Sequence, residues 1–530
     1  MGIMVSISNL TAVPWKTEPT GQSIATLTSN TSVTFSGAGT TLGHKGDFQV
    51  VSRHVTIAVR RPSTSEVQNI RVNVREPVGA TGKRPAMVFM HGAGYGTSDN
   101  SFGDVAHDLA SAGFVTAVPD KPVWSTNDVT RDYPGSAKAY DQVIGYLRGM
   151  GTVNADEVGI YATSESTWIS PYLLTLDRRI AFQILLSPMV YSPRESLGFF
   201  IAQDFTLVGA NNGYQSIVRR VFHTDSSLFE LSNLDIAVQL KASYSIPTFV
   251  AYGSKDVMTA QVEGIRKIVD MAHEAGNHDI TVRSYMVANH VLRLGDEANA
   301  GTQLSDNYIT DVIDWSVGET RHLTQSSERV AGSAIYQSIA VPVELKSNRV
   351  LTVYGLILHV AMVLMLAAAG AIALVALSMK IHHVLRHRGP VLAFLHGFGS
   401  SLLALTVITL ASLVLFAAGL GQVIVAVVKL AWGGAPAADP GMMYWSWPVV
   451  QFVSTLVLWA WSRVLTRVFE EASERGIAHM PPRRGAIGDV VSGREPVVAA
   501  TRLGRVLFWV TAVAMMHVLL FFAFWGVFIY

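Results

Sequence analysis

The chain has 530 residues, of which 49% are apolar and only 15% charged, and its mean hydropathy is +0.32. An average soluble domain carries roughly 25% charged residues, so this composition excludes a disordered chain and argues against a wholly soluble protein. The net charge of +1 is divided between an acidic segment 1–345, which lacks the basic patch of a nucleic-acid-binding protein, and a basic remainder, and the absence of cysteine excludes disulfides, thiolate nucleophiles and Cys-based zinc sites.

The front part of the chain alternates between predicted strands and helices. Residues 1–64 are predicted to form an irregular leader and the first strand of a β-hairpin, whose two strands cover 48–60 and 67–75. Further strands, separated by helical stretches, are predicted over 86–90, 115–118, 158–161, 181–186, 248–252 and 281–286. This alternation is typical of a doubly wound, mainly parallel sheet with helices on both faces. We therefore predict an α/β domain over 65–320 that is followed by a linker over 321–348.

Hydropathy rises abruptly near residue 349, and segment 349–530 is predicted to be an all-α transmembrane domain. Val350–Met379 contains 30 residues without a charge, which is enough to cross a hydrocarbon core of about 30 Å. Four helices are predicted to span the membrane, at about 350–379, 400–428, 446–463 and 506–530. None of these predicted spans contains an acidic residue, so the carboxylate usual in proton and ion pathways is missing from them. The simplest role for the segment is anchoring.

Basic residues in the connecting loops predict the orientation of the chain. Loops 380–388 and 463–505 contain eleven Lys and Arg residues, whereas loop 433–444 contains none. The positive-inside rule places both basic loops in the cytoplasm and segment 1–345 outside, in a multi-pass protein of a bacterial inner or plasma membrane. Residues 1–9 lack the basic start and apolar core of a signal peptide. We therefore expect that a native signal or anchor is missing from this chain, the alternative being that the positive-inside rule fails here.

Four sequence features come directly after predicted strands, where open α/β sheets place their sites. The first is the glycine-rich turn 91–96, which can point backbone N–H groups toward a ligand oxygen. In the second, a strand passes at once into a helix at Ser164, which forces a sharp turn of the kind that exposes a nucleophile. Asp256 and His290 each follow a later strand. Taken singly, each has an ordinary interpretation as a helix cap, a turn former or a structural histidine.

Together these features resemble the α/β-hydrolase superfamily, most closely its dienelactone-hydrolase-like and esterase/lipase branches. The chain order Ser164, Asp256, His290 is the order of that superfamily and differs from that of the trypsin-like and subtilisin-like proteases. The resemblance implies that Ser164 is the nucleophile, that His290 is the general base and that Asp256 orients the imidazole. It also implies an oxyanion hole built from the backbone N–H groups of Ala93 and Glu165.

The resemblance extends over about residues 65–318, and the chain departs from the family pattern around the nucleophile. Glycine is usual two residues before and two after it, and this chain has Ala162 and Ser166 there, which are the next smallest choices. Glu165 places a carboxylate beside the nucleophile, and we expect it to repel an anionic ester. These departures leave open a weakened or inactive protein.

An insertion over 188–241 precedes the strand that leads to Asp256. In the superfamily that the chain resembles, such insertions form a cap over the acyl pocket, and the alternative is a helical excursion packed on the sheet. Tyr95, beside the glycine turn, is a candidate substrate contact, with core packing as the alternative.

The function predicted from the sequence is that of a membrane-anchored serine hydrolase of the esterase or lipase type. It would cleave a carboxylic ester, lipid-like or close to the membrane, through an acyl-enzyme. The alternatives are an acyltransferase that uses the same acyl-enzyme and a non-catalytic scaffold that keeps the fold for binding. The expected partners are an ester or acyl-lipid substrate and the bilayer, with no nucleic acid and no cofactor. We expect no metal, because the histidines of the membrane part match no ligand spacing, and nothing indicates the oligomeric state.

Overall fold

A computed structural model describes residues 1–15, 20–37, 43–61, 64–94, 96–122, 131–229, 232–295, 302–431, 434–436, 438–478 and 483–529 of the chain. The first half of the front part contains α1 (Gly2–Leu10), β1 (Gln22–Ile24), β2 (Val50–Arg60), β3 (Val67–Pro77), β4 (Arg84–Met90), α2 (Gly103–Ser111), β5 (Val115–Pro119), α3 (Tyr133–Arg148) and β6 (Val153–Thr163). The second half contains α4 (Ser170–Leu176), β7 (Gln183–Leu186), α5 (Pro193–Leu207), α6 (Asn212–Phe222), β8 (Thr248–Gly253), α7 (Gln261–Glu274), β9 (Ile280–Tyr285), α8 (Tyr308–Thr320), β10 (Val330–Gly332) and β11 (Ile335–Gln337). The remainder contains α9 (Arg349–Leu385), α10 (Phe398–Ala431), α11 (Met442–Glu474), α12 (Ala486–Ser492) and α13 (Arg502–Phe524).

A nine-stranded sheet organises the front part, with the strand order β10-β9-β8-β7-β6-β4-β5-β3-β2. Strand β3 runs antiparallel to both β2 and β5, and every other neighbouring pair is parallel. Strand β4 shows why the sheet is covered on both faces. Its side chains alternate between two apolar clusters, with Val88 and Met90 in one and Met87 and Phe89 in the other. The predicted doubly wound, mainly parallel sheet is confirmed.

Two short segments differ from the sequence analysis. Gly2–Leu10 forms α1, where an irregular leader is predicted. This helix docks on the end of α13 through a hydrogen bond from Ser8 Oγ to the carbonyl of Ala523, at 2.8 Å. Within the predicted linker, β10 adds a parallel edge strand beside β9. Both segments are short and depend on partners distant in the chain, so local periodicity does not reveal them.

Four helices of the C-terminal part, α9, α10, α11 and α13, are long and apolar enough to cross a membrane. They contain 37, 34, 33 and 23 residues, so the first three exceed the roughly 20 residues that a bilayer core requires. The end of α13 and the start of α11 lie beside the front part, as the contacts of Ser8 with Ala523 and of Asn211 with Met443 show. The loops that follow α9 and α11 meet at the opposite end of the helices, where Phe394 pairs with Ala499.

The insertion over 188–241 contains α5 and α6 and packs against the membrane helices. The hydroxyl of Tyr214 on α6 lies 2.8 Å from Ser446 Oγ on α11, and its ring packs edge-on against Trp447 with centroids 5.0 Å apart. On α10, a Cβ at Gly419 would lie 2.1 Å from the Tyr214 hydroxyl, so only glycine permits this approach. The insertion thus joins the sheet domain to the membrane helices, a role that neither prediction for it includes.

Candidate active site

The turn after β6 holds Ser164 in an unusual backbone conformation. Ser164 has φ = +51°, a left-handed value that is costly for a residue with a Cβ, and it begins a short 3-10 helix that ends at Trp168. Thr167 stabilises this turn, because its Oγ1 donates to the carbonyl of Ser164 at 2.6 Å and accepts from the amide of Met189 at 2.9 Å. The strain and its support are those of a turn that presents a nucleophile between a strand and a helix.

The neighbouring serine has a different role. Ser166 is fully buried, and its Oγ accepts from the amide of Thr163 at 2.7 Å. The same oxygen lies 2.9 Å from the carbonyl oxygens of both Met90 and Thr163, to which its hydroxyl donates. Through these bonds the Ser166 hydroxyl holds β4 and the turn together.

The structure brings Ser164, His290 and Asp256 into one chain of hydrogen bonds. Ser164 Oγ lies 2.8 Å from His290 Nε2, and His290 Nδ1 lies 2.9 Å from Asp256 Oδ1. Since an ionised carboxylate only accepts, the geometry assigns the proton on Nδ1 to the bond with Asp256 and leaves Nε2 as the acceptor for the Ser164 hydroxyl. This arrangement can remove a proton from Ser164.

Asp256 is held as a carboxylate by its surroundings. Burial raises the pKa of Asp256, but the charge of His290 and several hydrogen bonds outweigh burial and bring the pKa below its usual value. The donors are Thr259 Oγ1, at 2.5 Å from Oδ2, and the amide of Met258, at 2.9 Å from Oδ1. Asp256 therefore stays ionised at neutral pH and can hold the imidazole tautomer.

The loops that carry Asp256 and His290 pack against each other with no space between them. A Cβ at Gly253, the last residue of β8, would lie 2.2 Å from the carbonyl oxygen of Asn289. Ser187, which follows β7 with φ = +45°, donates from Oγ to the carbonyl of His290 at 2.7 Å. Sequence reasoning missed the roles of Ser187 and Thr259. A Thr three residues after the Asp is a local signal for the second, but the first needs the tertiary structure.

The glycine turn after β4 passes directly over Ser164. A Cβ at Gly92 would lie 3.3 Å from Ser164 Cβ, which brings the turn into contact with the nucleophile candidate. His91 anchors the turn, because its Nε2 lies 2.6 Å from the carbonyl oxygen of Pro119. Burial lowers the pKa of His91 to about 4, so this imidazole is neutral and structural.

The two predicted oxyanion donors are the backbone N–H groups of Ala93 and Glu165. Ala93 lies between Gly92 and Gly94 in the glycine turn, and Glu165 follows Ser164. Their role as backbone donors stays a prediction. Tyr95, the candidate substrate contact, lies outside the described residues.

Glu165 is paired with two cations, which corrects the expected repulsion of an anionic ester. Its carboxylate is buried, 2.6 Å from Lys121 Nζ and 3.2 Å from Arg131 Nε. Lys121 Nζ also donates to the carbonyl of Gly92 at 2.5 Å and to that of Gly94 at 3.1 Å. Burial lowers the pKa of Lys121, and the charge of Glu165 partly offsets this. The side chain of Glu165 therefore forms a buried ion pair with Lys121, and Lys121 holds the glycine turn through its two hydrogen bonds.

Within the described residues, no group of three His, Cys, Asp or Glu side chains is placed to hold a metal ion. The site consists of the serine, its hydrogen-bonded partners and the glycine turn.

Comparison with known proteins found similar solved structures. A bacterial heroin esterase is 15% identical, with 51% of this chain and 84% of that chain covered at a TM-score of 0.38. A 2,6-dihydroxy-pseudo-oxynicotine hydrolase is 15% identical, with coverage of 53% and 70% and a TM-score of 0.35. A Bacteroides ovatus protein provisionally named a dipeptidyl aminopeptidase IV is 11% identical, with a TM-score of 0.36; the match covers 52% of this chain but only 36% of that one. No protein-family model and no curated protein matches the sequence.

Proposed function

From the α/β-hydrolase fold of this chain and the four helices that follow it, we propose that the protein is a membrane-anchored serine hydrolase of carboxylic esters. The observation that carries the proposal is the hydrogen-bonded chain from Ser164 Oγ through His290 to Asp256, with Ser164 in a strained turn. A fold hosts many activities, so this chain of three residues is the stronger argument.

Acylation begins with the Ser164 hydroxyl. Its oxygen attacks the ester carbonyl carbon while His290 Nε2 takes the proton, and Asp256 stabilises the imidazolium that forms. Collapse of the tetrahedral intermediate breaks the bond to the alcohol oxygen, which leaves with the proton from His290. The products of this half are a Ser164 acyl ester and a free alcohol.

The glycine turn stabilises the negative charge that develops on the carbonyl oxygen. The backbone N–H groups of Ala93 and Glu165 are the proposed donors, and their value depends on being held in place before the reaction. Lys121 fixes the turn through the carbonyls of Gly92 and Gly94. We assign Lys121 as a positioning residue, because its contacts are with the turn and with Glu165.

Deacylation uses the same groups in reverse. His290 removes a proton from water, the hydroxide attacks the acyl ester, and Ser164 leaves with the proton returned by His290. If an alcohol replaces water as acceptor, the product is a new ester, which is the acyltransferase alternative.

The proposed substrate is an ester that is lipid-like or lies near the bilayer. Helix α5 contacts both the site and the membrane part, since Gln203 Nε2 donates to the carbonyl of Val257, beside Asp256, at 2.8 Å. On the same helix, Phe205 packs in an apolar cluster with Phe416 of α10. A single helix, α5, thus connects the loop that carries Asp256 with α10, which is long and apolar enough to cross a membrane.

Labelling with a fluorescent fluorophosphonate tests the proposal. This probe forms a covalent bond with an activated serine, so the full chain in membranes should label, and Ser164→Ala should abolish labelling. Ser166→Ala is the comparison variant: it loosens the turn, so it should label more slowly, but it should still label because the Ser166 hydroxyl is directed at backbone carbonyls and not at His290.

A folded wild-type protein that does not label would favour the scaffold alternative. Labelling that survives in Ser164→Ala would show that another serine reacts. If labelling behaves as expected, an ester panel with and without added alcohols would separate hydrolysis from acyl transfer by the ratio of free acid to new ester.

A further inference from the structure

A cavity of about 200 Å³ lies between α6, α9 and the end of α13. An adjoining cavity of about 320 Å³, lined by α1 and the start of α9, shares His223 and Leu351 with it. Neither touches Ser164, His290 or Asp256. Both lie where the front part of the chain meets the membrane helices.

The first cavity is lined by two residues with polar nitrogens that nothing in the described chain satisfies. Arg220 is only 2% exposed, and its Nε has no hydrogen-bond partner among the described residues. His223 Nδ1 is buried and lacks a partner within the same residues. The Nε of a guanidinium always donates, and a buried donor without an acceptor costs free energy, so Arg220 indicates a missing ligand with oxygen acceptors.

The charge of Arg220 is also uncompensated. Its other nitrogens donate to neutral groups, namely the carbonyls of Ser216 and Ser8 and, at 3.4 Å, Thr11 Oγ1. Burial and the nearby charge of Arg219 lower the pKa of Arg220 to about 10, which still leaves it protonated at neutral pH. The lining residues of both cavities include no Asp or Glu among the described side chains.

Asp225, the acidic residue next to a cavity-lining residue in the chain, is not a counter-ion for Arg220. Asp225 follows the lining residue Thr224, but its Oδ1 accepts from the amide and the hydroxyl of Ser227, at 3.1 and 2.6 Å. A buried cation without an anion is unfavourable, so Arg220 lacks a counter-ion that an anion from outside the chain would supply.

The position of the cavity along α9 corresponds to the head-group level of a bilayer. Since an α-helix rises about 1.5 Å per residue, the stretch from His359 to the basic end at Lys380 is about 32 Å long, close to a hydrocarbon thickness of about 30 Å. Trp525, whose Nε1 donates to His359 Nε2 at 3.0 Å, lies at the same level. Tryptophan is enriched at this depth.

An apolar path leads from the cavity toward the middle of the membrane. Leu356 lines the cavity, and Val360 and Val363 continue the same face of α9 at spacings of four and three residues, all three exposed. The floor is closed, because a Cβ at Gly355 would lie 2.8 Å from the ring of Phe524. The cavity thus combines polar residues suited to a lipid head group with an apolar surface suited to an acyl chain.

We propose that this cavity binds an anionic phospholipid, with its phosphate beside Arg220 and an acyl chain along Leu356, Val360 and Val363. His223, which lines both cavities, is the second polar residue at the head group. The bound lipid joins α6, α9 and the end of α13, so it stabilises the attachment of the hydrolase domain to the membrane helices. The inference concerns a site separate from Ser164 and does not depend on the proposed hydrolase activity.

Lipid retention measured by native mass spectrometry of the full chain tests the proposal. Phosphatidylglycerol should be retained about tenfold more strongly than phosphatidylcholine, because the choline cation offsets the phosphate charge and would lie close to the buried Arg220. Arg220→Gln should lower phosphatidylglycerol retention about tenfold. Leu356→Trp, which fills the cavity and leaves Arg220 intact, should do the same, so the test survives if Arg220→Gln fails to fold. Lys429→Gln, an exposed cation outside the cavity, is the matched control and should retain the lipid.

Three results would overturn the proposal. One is equal retention of the two lipids, or an equal loss in Lys429→Gln. Another is competition by millimolar inorganic phosphate that displaces the lipid completely, which would assign the site to free phosphate. The third is loss of retention in Ser164→Ala, which would place the lipid in the hydrolase site. Fluorophosphonate labelling of the same samples reports on the proposed function separately, and it should persist in Leu356→Trp.

Discussion

At the scale of single residues, Ser164 and Lys121 occupy conformations and surroundings that are costly on their own. A left-handed backbone costs Ser164 on the order of 1–2 kcal/mol, and a lysine ammonium is buried beside the turn. Each persists because its neighbours hold it, Thr167 for the first and Glu165 for the second. Costs of this kind concentrate at sites where chemistry requires a fixed geometry.

Replacing Lys121 with methionine should slow ester hydrolysis more than it weakens substrate binding. Without Lys121 the carbonyls of Gly92 and Gly94 lose their common donor, and the backbone donors above Ser164 lose alignment. We expect kcat to fall about tenfold to a hundredfold, less than the loss of a whole oxyanion donor, with KM changed by less than about threefold. Steady-state kinetics on a soluble ester measures both quantities.

The same variant leaves Glu165 with one cation fewer, so its control is the double variant Lys121→Met with Glu165→Gln. We expect the double variant to regain thermal stability but not kcat, and Lys121→Arg to restore part of kcat. Recovery of wild-type kcat in the double variant would mean that Lys121 acts only by neutralising Glu165.

Asp204 on α5 should make the protein less stable as the pH rises. Its carboxylate is fully buried, neither oxygen has a hydrogen-bond partner among the described residues, and burial followed by the charge of Asp256 raises its pKa to about 9. Between the unfolded value of 3.8 and about 9, the unfolded chain releases this proton while the native state keeps it, so the free energy of unfolding falls as the pH rises through this window.

Asp204→Leu removes this titration and should raise Tm, with a larger gain at pH 8 than at pH 5. Asp204→Asn, which keeps the shape of the side chain, controls for changes in packing and should show the same trend. Differential scanning fluorimetry at the two pH values measures it. An equal gain at both values would show that Asp204 does not titrate in this window.

At the scale of elements, the sequence predicts best where periodicity is local. Strands β4 and β8 are short apolar runs, β6 ends in one, and the residues that follow strands of this sheet, Ser164, Asp256 and His290, form the site. The hairpin of β2 and β3 is likewise readable, since Val50–Arg60 and Val67–Pro77 pair in register along their whole length. Apolar length alone indicates α9, α10, α11 and α13.

Elements and contacts that depend on partners distant in the chain cannot be predicted from local periodicity. Helix α1 depends on α13, and the insertion faces the membrane helices because Tyr214 meets Ser446 and Trp447. The partners of Glu165 lie 44 and 34 residues earlier, at Lys121 and Arg131, beside no recognisable motif. The sequence therefore predicts an unpaired charge beside Ser164, whereas the tertiary structure pairs this carboxylate with two cations.

At the scale of the whole molecule, the basic loops lie at the end of the helices opposite the sheet domain. Arg467, near the cytoplasmic end predicted for α11, contacts the carbonyl of His396 at 3.4 Å. We propose that the sheet domain lies outside the cytoplasm, because loops rich in Lys and Arg face inward.

The absence of native cysteine allows a direct test of this orientation. In intact cells or spheroplasts, a membrane-impermeant maleimide should label Lys241→Cys, an exposed position of the sheet domain, and should label Arg386→Cys only after permeabilisation. The cysteine-free parent chain is the control for background. The reverse labelling pattern would place the sheet domain in the cytoplasm.

The bond between Ser8 and Ala523 has a consequence for biosynthesis. These residues are 515 positions apart, so at roughly 5–20 residues per second a ribosome needs about 25–100 s between making one and the other. Throughout that time α13 does not yet exist, so α1 cannot dock on it. The apolar side chains of α1 are meanwhile exposed to water, to lipid or to a chaperone. Helix α13 is synthesised after α1 and completes a contact that α1 requires, so a ribosome that stalls before α13 leaves α1 undocked.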